Sequence, residues 1–207
     1  ATAMANSVRA PGHSTLIERK SRFIGDARPA RSRSEADDRI AQIRSAYPDS
    51  SHVVYAFSVG PPESQIHGLS DDHEPHGTAG RPILDVLIGR EITNVVVTVV
   101  RYFGGTKLGT GGLVRAYSEA ARLALDDAAV EELREYVRFR ILADYQHFDH
   151  IRRALGDRDT RGIQEEFGTR VTITGWIEKS RGSDLPQDIA DLSRGNAGVR
   201  VFGERED

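Results

Sequence analysis

The chain has no cysteine, which removes disulfide stapling, thiolate nucleophiles and Cys-ligated zinc or iron–sulfur centres. It also lacks a long apolar run. The longest, Val95 to Val100 with Thr98 inside it, falls far short of the roughly 20 residues that span a bilayer as a helix. The opening residues Ala1 to Ala10 carry no apolar core of the secretory type. Together these absences give the cytosol as the expected compartment, with no membrane partner. Lysine is scarce, 3 residues against 25 arginines, and the net charge is −3. There is no global basic field of the kind a dedicated nucleic-acid binder shows.

What is present is ordinary globular material: 207 residues, 38% hydrophobic and 29% charged. That length makes one large domain or two small ones, each with a modest core. Residues 1–12 are small and polar with Pro11-Gly12, and read as a flexible leader. Thr15 to Ala27 reads as a hairpin turning near Arg19-Lys20-Ser21. Ser32 or Ser34 caps a helix with Ala36, Ile40, Ile43 and Tyr47 at helical spacing, ended by Pro48. His52 to Val59 is a strand rich in β-branched and aromatic types. A loop from Gly68 to Gly80 follows, and Pro82 suits the first turn of a short helix. Asn94 to Tyr102 fits a central strand covered on at least one side. A helix from about Leu113 to Ala128 buries Leu113, Ala116, Tyr117, Ala120, Leu123 and Ala124.

The second half repeats none of this. Its elements alternate as β, α, β, β, α, β, the order of a ferredoxin-like domain. The expected division is therefore a first domain over 13–133 and a second over 134–207, in an α+β protein. Trp176, Phe167 and Phe148 read as core. A sheet of this order can bind RNA through exposed aromatics. Its inner strands, however, lack the Gly-containing pattern of that module, and acidic and basic residues nearly cancel across the domain.

Eight of the 20 glycines fall between Gly77 and Gly112. Glycine costs backbone entropy, so it gathers where positive φ or close backbone approach is needed. Gly104-Gly105 leave the central strand and Gly111-Gly112 enter the helix. Free N–H groups at that helix start, with Thr110 as a candidate cap and Lys107 nearby, form an anion-ready surface. This is not a Walker loop: Thr110 directly follows Gly109, and Lys107 sits inside the loop. The second dense stretch runs from Ser70 to Pro82, and Asp71, Asp72 and Glu74 with His67, His73 and His76 supply oxygen and imidazole donors within ten residues. Its donors suit a divalent metal, but it has neither a His-Glu-x-x-His helix nor calcium-loop spacing. Asp71 and Asp72 read better as helix caps or arginine partners. No metal or cofactor is expected. Ser58, Ser70 and Ser118 lie outside any nucleophile-elbow context, so no catalytic residue is assigned.

The run Ser70-Asp71-Asp72-x-Glu74-Pro75-x-Gly77-Thr78-Ala79-Gly80-Arg81-Pro82 and the run Arg101-Tyr102-Phe103-Gly104-Gly105-Thr106-Lys107-Leu108-Gly109-Thr110-Gly111-Gly112-Leu113-Val114-Arg115 resemble the motifs of the bacterial YigZ branch of the IMPACT family. The chain departs from the family pattern at His73, where Gly is usual, and at His76, where Ser is usual. The resemblance implies a first domain like domain 2 of ribosomal protein S5 and a small ferredoxin-like second domain. It also implies a translation- or stress-associated role, since eukaryotic members restrain a starvation-responsive kinase by competing for its activator. The positions it singles out for binding RNA or a ribosome-associated protein are His52, Arg81, Arg101, Lys107 and Arg115 with the glycines Gly104, Gly105, Gly111 and Gly112, and the acidic loop Asp71, Asp72 and Glu74 beside them; Tyr102 joins them as the end of the central strand, where sites gather. Two other readings stay open. One is a metal-assisted hydrolase using Asp71, Asp72, Glu74 and His76; the other is a pure protein-interaction module.

Overall fold

In the computed structural model, which describes residues 6–202, the chain divides into two compact units, Ala1–Leu133 and Arg134–Asp207. The first contains β1 (Asn6–Ala10), β2 (Gly12–Glu18), β3 (Ser21–Pro29), α1 (Arg33–Ala46), β4 (His52–Val59), β5 (Ile66–Ser70), α2 (Gly80–Gly89), β6 (Ile92–Thr93), β7 (Val95–Tyr102), α3 (Gly109–Asp127) and β8 (Ala129–Glu132). The apolar run forms β7, which lies in the middle of a five-stranded sheet ordered β2-β3-β7-β4-β5. Alternate side chains of a strand face opposite ways. Val95, Val97 and Val99 therefore join the core under α2 and α3, while Val96 and Val100 meet α1 residues such as Ile40 and Ile43. A strand covered on both faces has no wet side to alternate with, hence its unbroken apolar sequence.

Residues 6–12 do not form a leader. Asn6–Ala10 is a strand paired with β6 and β8, and β2 begins at Gly12, where a Cβ would lie 2.1 Å from the Ala124 carbonyl oxygen. The rest of the expected leader, residues 1–5, lies outside the described residues. The first hairpin turns at Arg19 and Lys20, both at positive φ (45° and 66°) without a glycine. Ser32 caps α1 by accepting from the Glu35 N–H. Part of the expected Gly68–Gly80 loop is strand: β5 runs to Ser70 as the antiparallel neighbour of β4. Helix α3 begins at Gly109, so Thr110 lies inside it and does not cap it; the cap position is Leu108, with no side-chain bond. Leu123 is 36% exposed, and Ala121 and Leu125 are buried in its stead.

The second unit contains β9 (Tyr136–Ala143), α4 (Tyr145–Gly156), β10 (Thr160–Phe167), β11 (Val171–Glu178), α5 (Lys179–Gly182), α6 (Leu185–Ser193) and β12 (Gly198–Phe202). Its antiparallel sheet is ordered β10-β11-β9-β12. Ile151 and Leu155 of α4 and Leu185 and Ile189 of α6 pack on its inward residues Val137, Phe139, Ile141, Val171, Ile173 and Ile177. Phe148 is partly buried against this core. Trp176 and Phe167 are not core: they are 47% and 59% exposed. Trp176 shares the sheet face of Thr172 and Thr174, opposite the buried residues of its own strand.

Candidate functional site

Two neighbouring features of the first unit account for most of the residues singled out by sequence. The first is a buried polar cluster under α3. Arg101 and His52 stand opposite each other on β7 and β4 and so share a sheet face. The Arg101 guanidinium donates from Nη1 to Glu74 Oε1 at 2.6 Å and from Nη2 to Ser21 Oγ at 3.2 Å. The Tyr117 hydroxyl donates to the same Glu74 oxygen at 2.6 Å. Both charged side chains are almost sealed, 6% exposed for Arg101 and 4% for Glu74, and Arg101 Nε has no partner among the described residues. His52 Nδ1 lies 2.8 Å from the Asp72 carbonyl oxygen, which only accepts, so that nitrogen carries a proton. Its Nε2 faces Glu74 Oε1 at 3.8 Å. Burial first, and then the bond to Glu74, push the Tyr117 phenol far above its ordinary pKa.

The acidic loop is an acceptor framework. Asp71 accepts from the backbone N–H of Gly77, Ala79 and Gly80, capping α2 from outside its own chain segment. Burial pulls the Asp71 carboxyl upward, but those N–H groups and nearby His76 outweigh it and hold the pKa below its ordinary value. Asp72 accepts from Val53 N–H at 2.6 Å and from Arg44 at 3.3 Å. Asp72 and His73 both sit at positive φ (44° and 70°). A β-carbon at 73 therefore does not release the loop from the left-handed conformation for which glycine is usual. His76 is fully exposed, 3.8 Å from Asp71. Among the described residues no group of three or more His, Asp or Glu is arranged to hold a metal ion.

The second feature is the start of α3. Gly104 lies against the first hairpin, where a Cβ would come within 2.0 Å of the Lys20 carbonyl carbon; its N–H donates to Ser21 Oγ. Gly105 and Gly109 take positive φ (84° and 73°), letting the chain double back into the helix. Lys107, Gly111 and Arg115 are exposed. Arg115 Nη1 reaches over Gly111, 3.9 Å from where a Cβ would stand. Arg19, which sequence reasoning did not single out, donates to the Lys107 carbonyl. Gly112, Arg115, Arg19 and Arg122 line a groove of about 350 Å³ together with Glu18 and Glu119. A basic hairpin tip at positive φ has no marker in sequence that points at a helix start nearly 90 residues away.

Tyr102 and Arg81 do not join either feature. Tyr102 follows Arg101 on β7 and so faces the α1 side, where its hydroxyl donates to Asp49 and Arg22 lies over its ring at 4.7 Å. Arg81 is paired with Asp85 on α2 at 2.7 Å. No helix among the described residues is long and apolar enough to cross a membrane.

The Impact N-terminal domain model matches residues 19–125, the stretch that carries both features. The chain is 32% identical to the IMPACT family member YigZ of Escherichia coli (strain K12), over 92% of this chain and 95% of that one. It is 44% identical to an IMPACT family member of Thermus thermophilus, over 88% and 99% respectively. A solved structure described only as that of a hypothetical protein aligns over 99% of this chain and 100% of its own, with a TM-score of 0.66 and 30% identity. Both the domain match and the near full-length likenesses lead to one statement: the chain belongs to the IMPACT family.

Proposed function

We propose that this protein is a non-catalytic, translation- or stress-associated regulator whose first unit binds an RNA backbone or a ribosome-associated protein through the surface at the start of α3. The observation that carries this reading is the exposed, uncapped start of α3, with Lys107, Arg19 and Arg115 around it. Free N–H groups and positive dipole favour an anion there, and guanidinium groups suit phosphate or carboxylate. The reading takes the first unit as an S5 domain 2-like fold over 13–133. It takes the second as ferredoxin-like over 134–207, in keeping with its strand order.

The hydrolase alternative is weakened by where the carboxylates point. Asp71 is occupied by three N–H groups, Asp72 by Val53 and Arg44, and Glu74 by Arg101 and Tyr117. Each would have to abandon a structural bond to serve as base or ligand. The test is a titration of structured RNA at two salt concentrations, beside a pull-down from native lysate with and without RNase. Binding that weakens steeply with salt, and several-fold further in Lys107→Ala and Arg115→Ala, supports the RNA form. A specific partner that survives RNase supports the protein form. No RNA binding and no partner, or binding indifferent to both substitutions, overturns the proposal.

A further inference from the structure

The open face of the second unit's sheet presents a row of side chains that crosses all four strands in register. Arg161 on β10 stands opposite Trp176 on β11, Trp176 opposite Arg138 on β9, and Arg138 opposite Phe202 on β12. The next row on the same face is Gln164, Thr174, Arg140 and Arg200. Arg138, Arg140, Arg161 and Arg200 are exposed. None lies within ion-pair distance of a carboxylate among the described residues, whereas Arg134, Arg152, Arg158 and Arg170 of the same unit all do. The acidic residues on this face stand outside these two rows: Glu166 and Glu178 opposite Thr172 and Tyr136, and Asp159, whose carboxylate accepts from the Tyr136 hydroxyl and Arg134 and lies in the field of Arg161.

Trp176 sits at the centre of that arrangement, 47% exposed. A bulge in β10 between Arg161 and Gln164 places Gly162, at φ +60°, beside the indole, where a Cβ would lie 3.5 Å from its Cδ1. Glycine at that position leaves the ring uncovered. At the edge of the patch Arg161 already stacks on the Tyr136 ring at 4.0 Å. The near-neutral total charge of the unit therefore hides a local excess: Arg138, Arg140, Arg161 and Arg200 gather on the open sheet, with its carboxylates kept to the margin.

We propose that this face binds single-stranded RNA, independently of the surface on the first unit. An indole between two arginines, with a phenylalanine beyond, offers π-faces to successive bases and cations to the phosphates between them. Thr172 and Thr174 on β11, between the arginine-bearing strands β10 and β9, and Gln164 opposite Thr174 supply hydroxyl and amide partners for ribose 2′-hydroxyls, the groups that distinguish RNA from DNA.

Trp176 is the only tryptophan, so its fluorescence reports this face alone. The full chain is titrated with an unstructured oligouridylate of roughly ten nucleotides. The expected result is saturable quenching that weakens with salt. Trp176→Ala, followed by anisotropy of labelled RNA, is expected to weaken binding roughly ten- to hundredfold, while Trp176→Phe retains most of it. Arg138→Ala with Arg140→Ala weakens binding and lowers the salt slope; Arg153→Ala, at an exposed position of α4 on the covered side of the sheet, leaves the quenching unchanged. Absence of quenching, or affinity unmoved by Trp176→Ala and the arginine pair, overturns the proposal. Equal affinity for oligothymidylate overturns its RNA assignment, and equally strong competition by polyglutamate assigns the face to an acidic protein instead.

Discussion

Replacing Glu74 by glutamine keeps the shape of the side chain and removes its charge. In the wild-type protein one oxygen of Glu74 takes two short bonds, from Arg101 and from Tyr117. Hydrogen bonds to a charged group contribute about 1.5–3 kcal/mol each, and breaking a buried ion pair from one side costs about 3–5 kcal/mol because the other charge stays buried. With the pair only 4% and 6% exposed, solvent screens little of this. Arg101 has no spare carboxylate to turn to, since Asp72 is held by Val53 and Arg44. Glu74→Gln is therefore expected to lower stability by about 3–5 kcal/mol in urea unfolding followed by far-ultraviolet circular dichroism. That loss is roughly 10–20 °C in Tm for a domain of this size. The triple variant Glu74→Leu, Arg101→Met, Tyr117→Phe removes at once the three polar ends that meet at the Glu74 oxygen, leaving Ser21 its bond from the Gly104 N–H, and is expected to lose less than Glu74→Gln alone. Two results refute the reasoning. One is a loss below about 1 kcal/mol for Glu74→Gln, the value of an exposed pair. The other is a triple variant less stable than the single one.

Other outcomes follow from the same geometry. The Asp71 carboxyl is held below its ordinary pKa, so its contribution is present above about pH 4 and fades as pH falls through the folded-state value. Asp71→Asn is expected to flatten that acid-side loss in unfolding curves taken between neutral and acidic pH. Tyr117 is shifted the other way. Its contribution is complete below about pH 10 and falls as pH rises beyond it; Tyr117→Phe should remove that alkaline decline. Gly104→Ala must move the Lys20 backbone by more than side-chain adjustment allows. Its expected cost is about 1–3 kcal/mol, measured by urea unfolding, with the start of α3 displaced and weaker RNA or partner binding beside it.

Periodicity and punctuation were enough to read the elements that organise the chain. The apolar stretch became the middle strand, Ser32 capped α1, and the order expected of the second half appears with one short helix, α5, added before α6. What escaped was set by tertiary contact. Asn6–Ala10 pairs with β6 and β8, partners distant in sequence, and nothing local distinguishes such a strand from a frayed end. Leu123 was expected inside because it is apolar at helical spacing. The sheet instead accepts Ala121 and Leu125 and leaves Leu123 out. Arg101 and Tyr102 are adjacent in sequence but face opposite sides of the sheet, so only one reaches Glu74. Trp176 was assigned to the core on residue type, whereas strand parity put it on the open face. A motif names which residues matter together; the sheet decides which of them meet.

The Glu74 carboxylate has a consequence for the order in which the first unit assembles. Its bonds reach across 27 residues to Arg101 and 43 to Tyr117, and Arg101 in turn bonds Ser21 across 80. Closing loops of that length costs chain entropy before any contact returns it. The latch therefore fastens late, once the hairpin, the middle strand and the long helix have come together. A nascent chain halted before Tyr117 would lack one of the side chains that hold it shut.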